Sequence, residues 1–265
     1  MAAGLPKTTD GEIHNTLLLR RAWAGEPIAA RRSRSRKRWS SLVSCTLLMS
    51  LCSLAVSSQL YPAPSLNPLT VSLPLLANQL AYAHGTSIVC FGDSLTQGVG
   101  ASPGHDYPSL LSKALGTSVI NAGVDGDETA DALKRLDTDV LAKDPRLVIV
   151  ELGANDFLDN VPLNRAFANL DTIVQRIEAQ GAVVVLVGPA PSPLSNALQK
   201  DYDRIIQKHP IAYIPNILDG IFTNRRFKSG DHLHPNDQGY ALIAERIRRV
   251  IEPLLTSRKP SPPAP

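Results

Sequence analysis

The chain of 265 residues is poor in cysteine, with three, and in tryptophan, with two. Cys45 and Cys52 share one apolar run, which leaves Cys90 alone further along. One thiol makes no internal disulfide, so a disulfide-stapled secreted scaffold is excluded. Cys90 lies inside an apolar stretch and reads as an inert buried residue. Trp23 and Trp39 both precede that run, so the remainder offers no indole to stack on a sugar ring. The apolar run Leu42–Val56 has 15 residues, short of the roughly 20 that a membrane-spanning helix needs. Recognised zinc-ligand spacings and a Gly-rich phosphate fingerprint are both missing. With 43% apolar residues, whole-chain disorder and collagen-like repeats are excluded as well.

Charge is missing from one stretch altogether. No Asp, Glu, Lys or Arg lies between Arg38 and Asp93. Up to Ser57 there are nine basic residues, six of them between Arg31 and Arg38, against three acidic ones. The other residues carry 18 basic and 21 acidic groups, a net of −3 beside +3 for the whole chain. The basic excess therefore belongs to the leader, and it makes no case for a nucleic-acid partner. A basic cluster, a short apolar core and then small residues form the layout of a secretory signal. Ala55-x-Ser57 and Ala81-x-Ala83 are candidate cleavage sites. The expectation is an exported protein, periplasmic or extracellular; the alternative is a membrane anchor through residues 42–56.

Four domains of organisation follow. Residues 1–57 are the leader, and 58–86, uncharged and dotted with Pro62, Pro64, Pro68 and Pro74, are expected to be an unpacked spacer. Residues 87–255 are expected to be one domain, and 256–265 a solvated Pro-rich tail.

Within the domain, Ser87–Phe91, Ser118–Ile120, Leu147–Glu151, Ala182–Val187 and Ile211–Ile214 are short apolar runs suited to strands buried on both faces. Helical spacing fills the intervals: Leu110–Leu115, Thr129–Leu141, Leu163–Gln180, Ser195–Lys208 and Asn236–Leu254. Gly181 is a C-terminal stop and Asn236 or Asp237 an N-cap. This alternation predicts a parallel sheet of five strands with helices on both sides. In such sheets the site lies beyond the carboxyl ends of the strands.

Four loops there carry chemistry. Gly92-Asp93-Ser94-Leu95 puts a hydroxyl at a tight turn opening a helix, where N–H groups favour negative charge. Ser94 is equally an ordinary N-cap. Asn121–Thr129 holds two glycines that allow close backbone approach, or form a simple turn. Gly153-Ala154-Asn155-Asp156 offers an amide donor, or another cap. In Asp231-His232-Leu233-His234, an Asp three residues before His234 can hold the imidazole in one tautomer, and His234 can then deprotonate a serine. His232 is expected to point away or pack locally.

These four blocks, in this order, resemble those of the SGNH or GDSL hydrolase family, over about residues 87–255. The phrases VIVELGAND and DHLHPND look most like its single-domain thioesterase, lysophospholipase and arylesterase branch. The resemblance implies a flavodoxin-like three-layer α/β/α fold and a cofactor-free serine ester hydrolase. Ser94 would be the nucleophile, His234 the base and Asp231 its partner. The oxyanion hole would be the Ser94 and Gly126 N–H groups and the Asn155 side chain. Gly126 is preferred to Gly123 by its place in the block. His232 departs from the pattern, where Gly is frequent. Phe157, Leu158, Leu194 and Leu198 are candidate substrate-binding residues, with ordinary loop packing as their alternative. The expected substrate is a small-molecule acyl ester or thioester, including lysophospholipid, and the expected state a monomer. A carbohydrate O-deacetylase and a non-catalytic envelope-binding module are the rivals.

Overall fold

The computed structural model describes residues 73–189 and 194–256. The leader and the Pro-rich tail after Thr256 lie outside the described residues.

Strands β1 (Ser87–Gly92), β2 (Val119–Gly123), β3 (Pro145–Glu151), β4 (Val183–Val187) and β5 (Ala212–Ile214) form one sheet in the order β2-β1-β3-β4-β5. Every neighbouring pair is parallel. The helices are α1 (Leu73–Tyr82), α2 (Ser94–Gln97), α3 (Tyr107–Leu115), α4 (Thr129–Asp139), α5 (Ala154–Leu158), α6 (Leu163–Ala179), α7 (Leu194–Lys208) and α8 (Asp237–Thr256). This is the flavodoxin-like doubly wound α/β/α fold, whose switch point lies beside β1.

The inner strands β1, β3 and β4 are largely apolar because successive side chains feed opposite layers. Strand β2, expected to be buried on both faces, is instead a half-exposed edge strand with Asn121 in solvent. Ile88 and Cys90 face a core shared with α1, α3 and α8, while Val89 and Phe91 face one shared with α4, α6 and α7. The same alternation runs through β3 and β4: Leu147, Ile149, Val183 and Val185 on one side, Val148, Val150, Val184 and Leu186 on the other. In the second core the rings of Tyr202 and Tyr213 stack with centroids 4.9 Å apart. At the start of α8, Asn236 is the cap: its Oδ1 accepts from the Gln238 and Gly239 amides, both at 3.1 Å. Gly181, at φ +79°, ends α6 as expected.

One expectation is corrected. Residues 73–82 are not unpacked spacer but α1, and its Leu76 and Leu80 are buried against the core that includes α8. Pro74 is compatible with the helix because it occupies the first turn, where a missing N–H costs nothing. Cys90 is fully buried, and burial pushes its thiol far up from the ordinary range.

Candidate active site

At the carboxyl end of β1 the chain must turn at once into α2. Gly92 permits this, since a Cβ there would lie 2.1 Å from Thr96 Oγ1 and 2.4 Å from the Glu151 carbonyl oxygen. Asp93 is the cap of α2, accepting from the Leu95 amide at 3.0 Å. Ser94 is thereby released from the capping role and stands as the first residue of the helix. Ser94 is only 8% exposed, so it is largely withdrawn from solvent.

The loop before α8 brings the base to it. Asp231 Oδ1 accepts from Ser229 Oγ at 2.6 Å and from the amides of Leu233 and His234 at 2.8 and 3.0 Å. That leaves Oδ2 for His234 Nδ1 at 2.7 Å, and His234 Nε2 lies 3.0 Å from Ser94 Oγ. Burial opposes ionisation of Asp231, but these hydrogen bonds outweigh it and hold the carboxyl far below its ordinary range. A carboxylate on Nδ1 places the acceptor lone pair on Nε2, toward the serine. His232 is exposed, as expected, and takes the left-handed conformation at φ +60°. That conformation explains why glycine suits this position. Lys228 Nζ donates to the His232 carbonyl at 2.7 Å and lies 4.0 Å from the Phe222 ring centroid, bracing the loop.

Two glycines in the second loop do different jobs. A Cβ on Gly123 would lie 2.1 Å from the Gln97 nitrogen, and its amide donates to Asn121 Oδ1 at 3.0 Å. Gly123 thus lets α2 approach β2 closely. Gly126 has φ +82° and open space where a side chain would stand. From the third loop, Asn155 Nδ2 donates to the Asp127 carbonyl at 2.9 Å and lies 3.5 Å from Asp93 Oδ2. Asp156 ties the third loop to the second, accepting from the Thr129 amide at 2.8 Å and hydroxyl at 2.6 Å.

Beneath Ser94 lies a polar layer that the sequence did not announce. Glu151, at the end of β3, accepts from Thr96 Oγ1 at 3.1 Å, and Thr96 shares a 2.7 Å hydrogen bond with the Tyr107 hydroxyl. Asp93 and Glu151 are each 1% exposed and adjoin one another. Burial, helped by the Asp93 charge, drives the Glu151 carboxyl well above its ordinary range; burial raises Asp93 to about 6. Each enclosed carboxyl disfavours ionisation of the other.

The candidate substrate residues separate. Phe157 is buried in the α6-side core, where the single turn of α5 sets it against the sheet. Leu198 belongs to the same core, at a narrow apolar cleft with Leu152, Gly153, Phe167 and Tyr202. Leu158 is half-buried against the opposite core, and the Leu194 side chain lies outside the described residues. Among the described residues no group of three His, Cys, Asp or Glu side chains is placed to hold a metal ion, and no helix is long and apolar enough to cross a membrane.

A serine, an imidazole and a carboxylate in hydrogen-bonded series at the switch point of a parallel sheet are the arrangement of a serine hydrolase. The chain belongs to the GDSL-like lipase/acylhydrolase family, whose model matches residues 90–242. It is 28% identical to the Pseudomonas aeruginosa esterase TesA over 195 residues, covering 70% of this chain and 96% of that protein. It is 27% identical to the Escherichia coli protein named thioesterase 1/protease 1/lysophospholipase L1, covering 65% and 86%. The crystal structure of TesA superposes with a TM-score of 0.60 at 27% identity, covering 64% of this chain and 99% of that one.

Proposed function

We propose that Ser94 is the nucleophile of this ester hydrolase and that acyl esters and thioesters, lysophospholipids among them, are its substrates. The Ser94 Oγ–His234 Nε2 separation of 3.0 Å carries the reading. Ser94 Oγ attacks the acyl carbon while its proton passes to His234 Nε2, and Asp231 steadies the imidazolium that forms. The oxyanion is met by the Ser94 and Gly126 N–H groups and by Asn155 Nδ2. Gly126 suits this better than Gly123, whose amide is already engaged. The tetrahedral adduct collapses as His234 returns the proton to the leaving alcohol or thiol. Water then repeats the sequence on the acyl-enzyme and releases the acid. The relatives' names support the substrate range, because they span esterase, thioesterase and lysophospholipase activity. We further propose export through the leader, supported by its basic cluster and short apolar core.

A fluorophosphonate probe should label the protein at Ser94, and Ser94→Ala should lose both labelling and hydrolysis of p-nitrophenyl esters. Full hydrolysis by Ser94→Ala would overturn the assignment. A panel of esters, thioesters and lysophospholipids of graded acyl length then ranks the substrates.

A further inference from the structure

Arg135 occupies the inward face of α4, one residue before the fully buried Leu136, and touches three separate parts of the site shelf. Its Nη2 donates to the Gly92 carbonyl at 2.9 Å, the peptide that leads directly into Asp93 and Ser94. Its Nη1 donates to the Ala122 carbonyl at 2.8 Å, at the exit of β2. Its Nε lies 2.5 Å from Asp127 Oδ2, and Nη1 also reaches Asp139 at 3.2 Å. The guanidinium rests on the Phe91 ring, 4.5 Å from its centroid, so its plane is fixed as well. Asp127 is buried, and its own backbone carbonyl is the acceptor that pins Asn155. One planar cation thus joins the chain entering the nucleophile turn, the strand entering the glycine loop, and the residue that aims the amide.

We propose that Arg135 is a positioning residue of the oxyanion hole, fixing the spacing between the Ser94 turn, the Gly126 loop and Asn155 by bonding Gly92, Ala122 and Asp127 together. It does not touch the reacting atoms. Its effect is geometric: donors aimed at a developing oxyanion act only when their spacing is held, and a displacement of about 1 Å can cost on the order of a hundredfold in rate. The planar fork is essential, because a lysine ammonium is a point donor that cannot span three acceptors in one plane.

This inference rests on the hydrolase reading above, and the test separates the two. In the full chain, Arg135→Lys, Arg135→Met and Asp127→Asn are assayed on p-nitrophenyl butyrate, with active serine counted by fluorophosphonate titration. Butylboronic acid, which forms a tetrahedral adduct on serine, reports oxyanion-hole quality independently of turnover. Arg135→Lys should lower kcat per titrated serine about tenfold and Arg135→Met about a hundredfold. KM should stay within about threefold, and the boronic acid should weaken in proportion to kcat/KM. Asp127→Asn keeps the backbone carbonyl and side-chain volume and is the milder change should the Arg135 variants fail to fold; it should lose about threefold to tenfold in kcat. If the variants that fold keep kcat within about twofold and lose only thermal stability, Arg135 is a structural tie and the inference fails. If the unaltered protein hydrolyses no ester and Ser94 takes no label, the hydrolase reading itself has failed.

Discussion

The side-chain amide of Asn155 is fastened to the backbone carbonyl of Asp127, 2.9 Å away in the neighbouring loop. This hydrogen bond fixes the amide plane; the same NH2 also lies 3.5 Å from Asp93 Oδ2, a long contact that an arriving oxyanion can displace. Asn155→Ala should therefore lower kcat by about 10²–10³ with little change in KM, the range for loss of one oxyanion donor. Steady-state kinetics on a p-nitrophenyl ester check it; a loss confined to KM would place Asn155 in ground-state binding instead.

Asp231 aims one oxygen at the histidine and spends the other on three local donors. Asp231→Asn disturbs both, and the amide can present its NH2 to Nδ1, favouring the wrong imidazole tautomer. We expect kcat to fall by as much as about 10⁴. Fluorophosphonate labelling should slow in parallel, because the serine is then no longer deprotonated. Labelling at the unaltered rate would show that His234 needs no carboxylate to act.

The buried pair beneath Ser94 gives stability an unusual pH dependence. Asp93 and Glu151 have raised carboxyl pKa values when folded, Asp93 to about 6. Above the unfolded carboxylate range, near pH 4, the folded state binds more protons than the unfolded one, so stability falls as pH rises from about 4 through about 6. Asp231 has the opposite sign: its pKa is depressed, so its contribution is present above about pH 4 and lost as pH falls below it. The two effects occupy different windows. Urea midpoints between pH 4.5 and 7.5 should decline in the unaltered protein, and Glu151→Gln should flatten that decline. An unchanged slope in Glu151→Gln would mean that the two carboxyls do not oppose each other's ionisation.

What could be read in advance depended on how locally each arrangement is encoded. Asp231 and His234 meet through a three-residue spacing, and Ser94 and Asn155 each follow an apolar strand, so the blocks were visible in the chain. The strands were visible for the same reason, as short continuous apolar runs, but which layer each residue feeds is shown only by the two cores. Arg135, Asp127 and Glu151 were not visible. Besides the local ion pairs of Arg135, the bonds that matter run from Arg135 to Gly92, Asp127 to Asn155 and Glu151 to Thr96, across 43, 28 and 55 residues, and depend on sheet register. A signal for Arg135 existed, a cation beside Ala132 and Leu136 on the inward side of its helix. For Phe157 only its place beyond a strand end was legible; the turn direction of α5, which sets it in the core, is not encoded locally.

His232 holds the left-handed conformation without being glycine, at φ +60°. Its contact through Lys228 uses only the backbone carbonyl, which glycine retains. His232→Gly should relieve the backbone cost, offset in part by a more flexible unfolded chain, for a net gain of roughly 0.5–1 kcal/mol. Equilibrium denaturation measures this, with esterase activity per titrated serine expected to stay within about twofold. A loss of activity greater than that would assign the imidazole itself a part in the site wall.

Helix α1 packs where unpacked chain was expected, and its apolar residues decide whether it belongs to the folding unit. Leu76 is completely buried and Leu80 is 1% exposed, both in the core that contains Leu147, Ile247 and Ile251. If α1 folds with the sheet, Leu76→Ala and Leu80→Ala should each destabilise the protein by about 2–4 kcal/mol, the cost of a cavity in a core that cannot fully collapse. If α1 were only laid on a finished domain, each would change the unfolding free energy by less than about 0.5 kcal/mol. The exposed Leu75 on the same helix is the internal control, since Leu75→Ala should be nearly neutral. Because α1 enters the sheet at the strand starts, opposite the catalytic ends, kcat per active serine should hold in all three variants. A fall in kcat that tracks the loss of stability would instead show that packing beneath α8 is transmitted to His234 through the loop that precedes that helix.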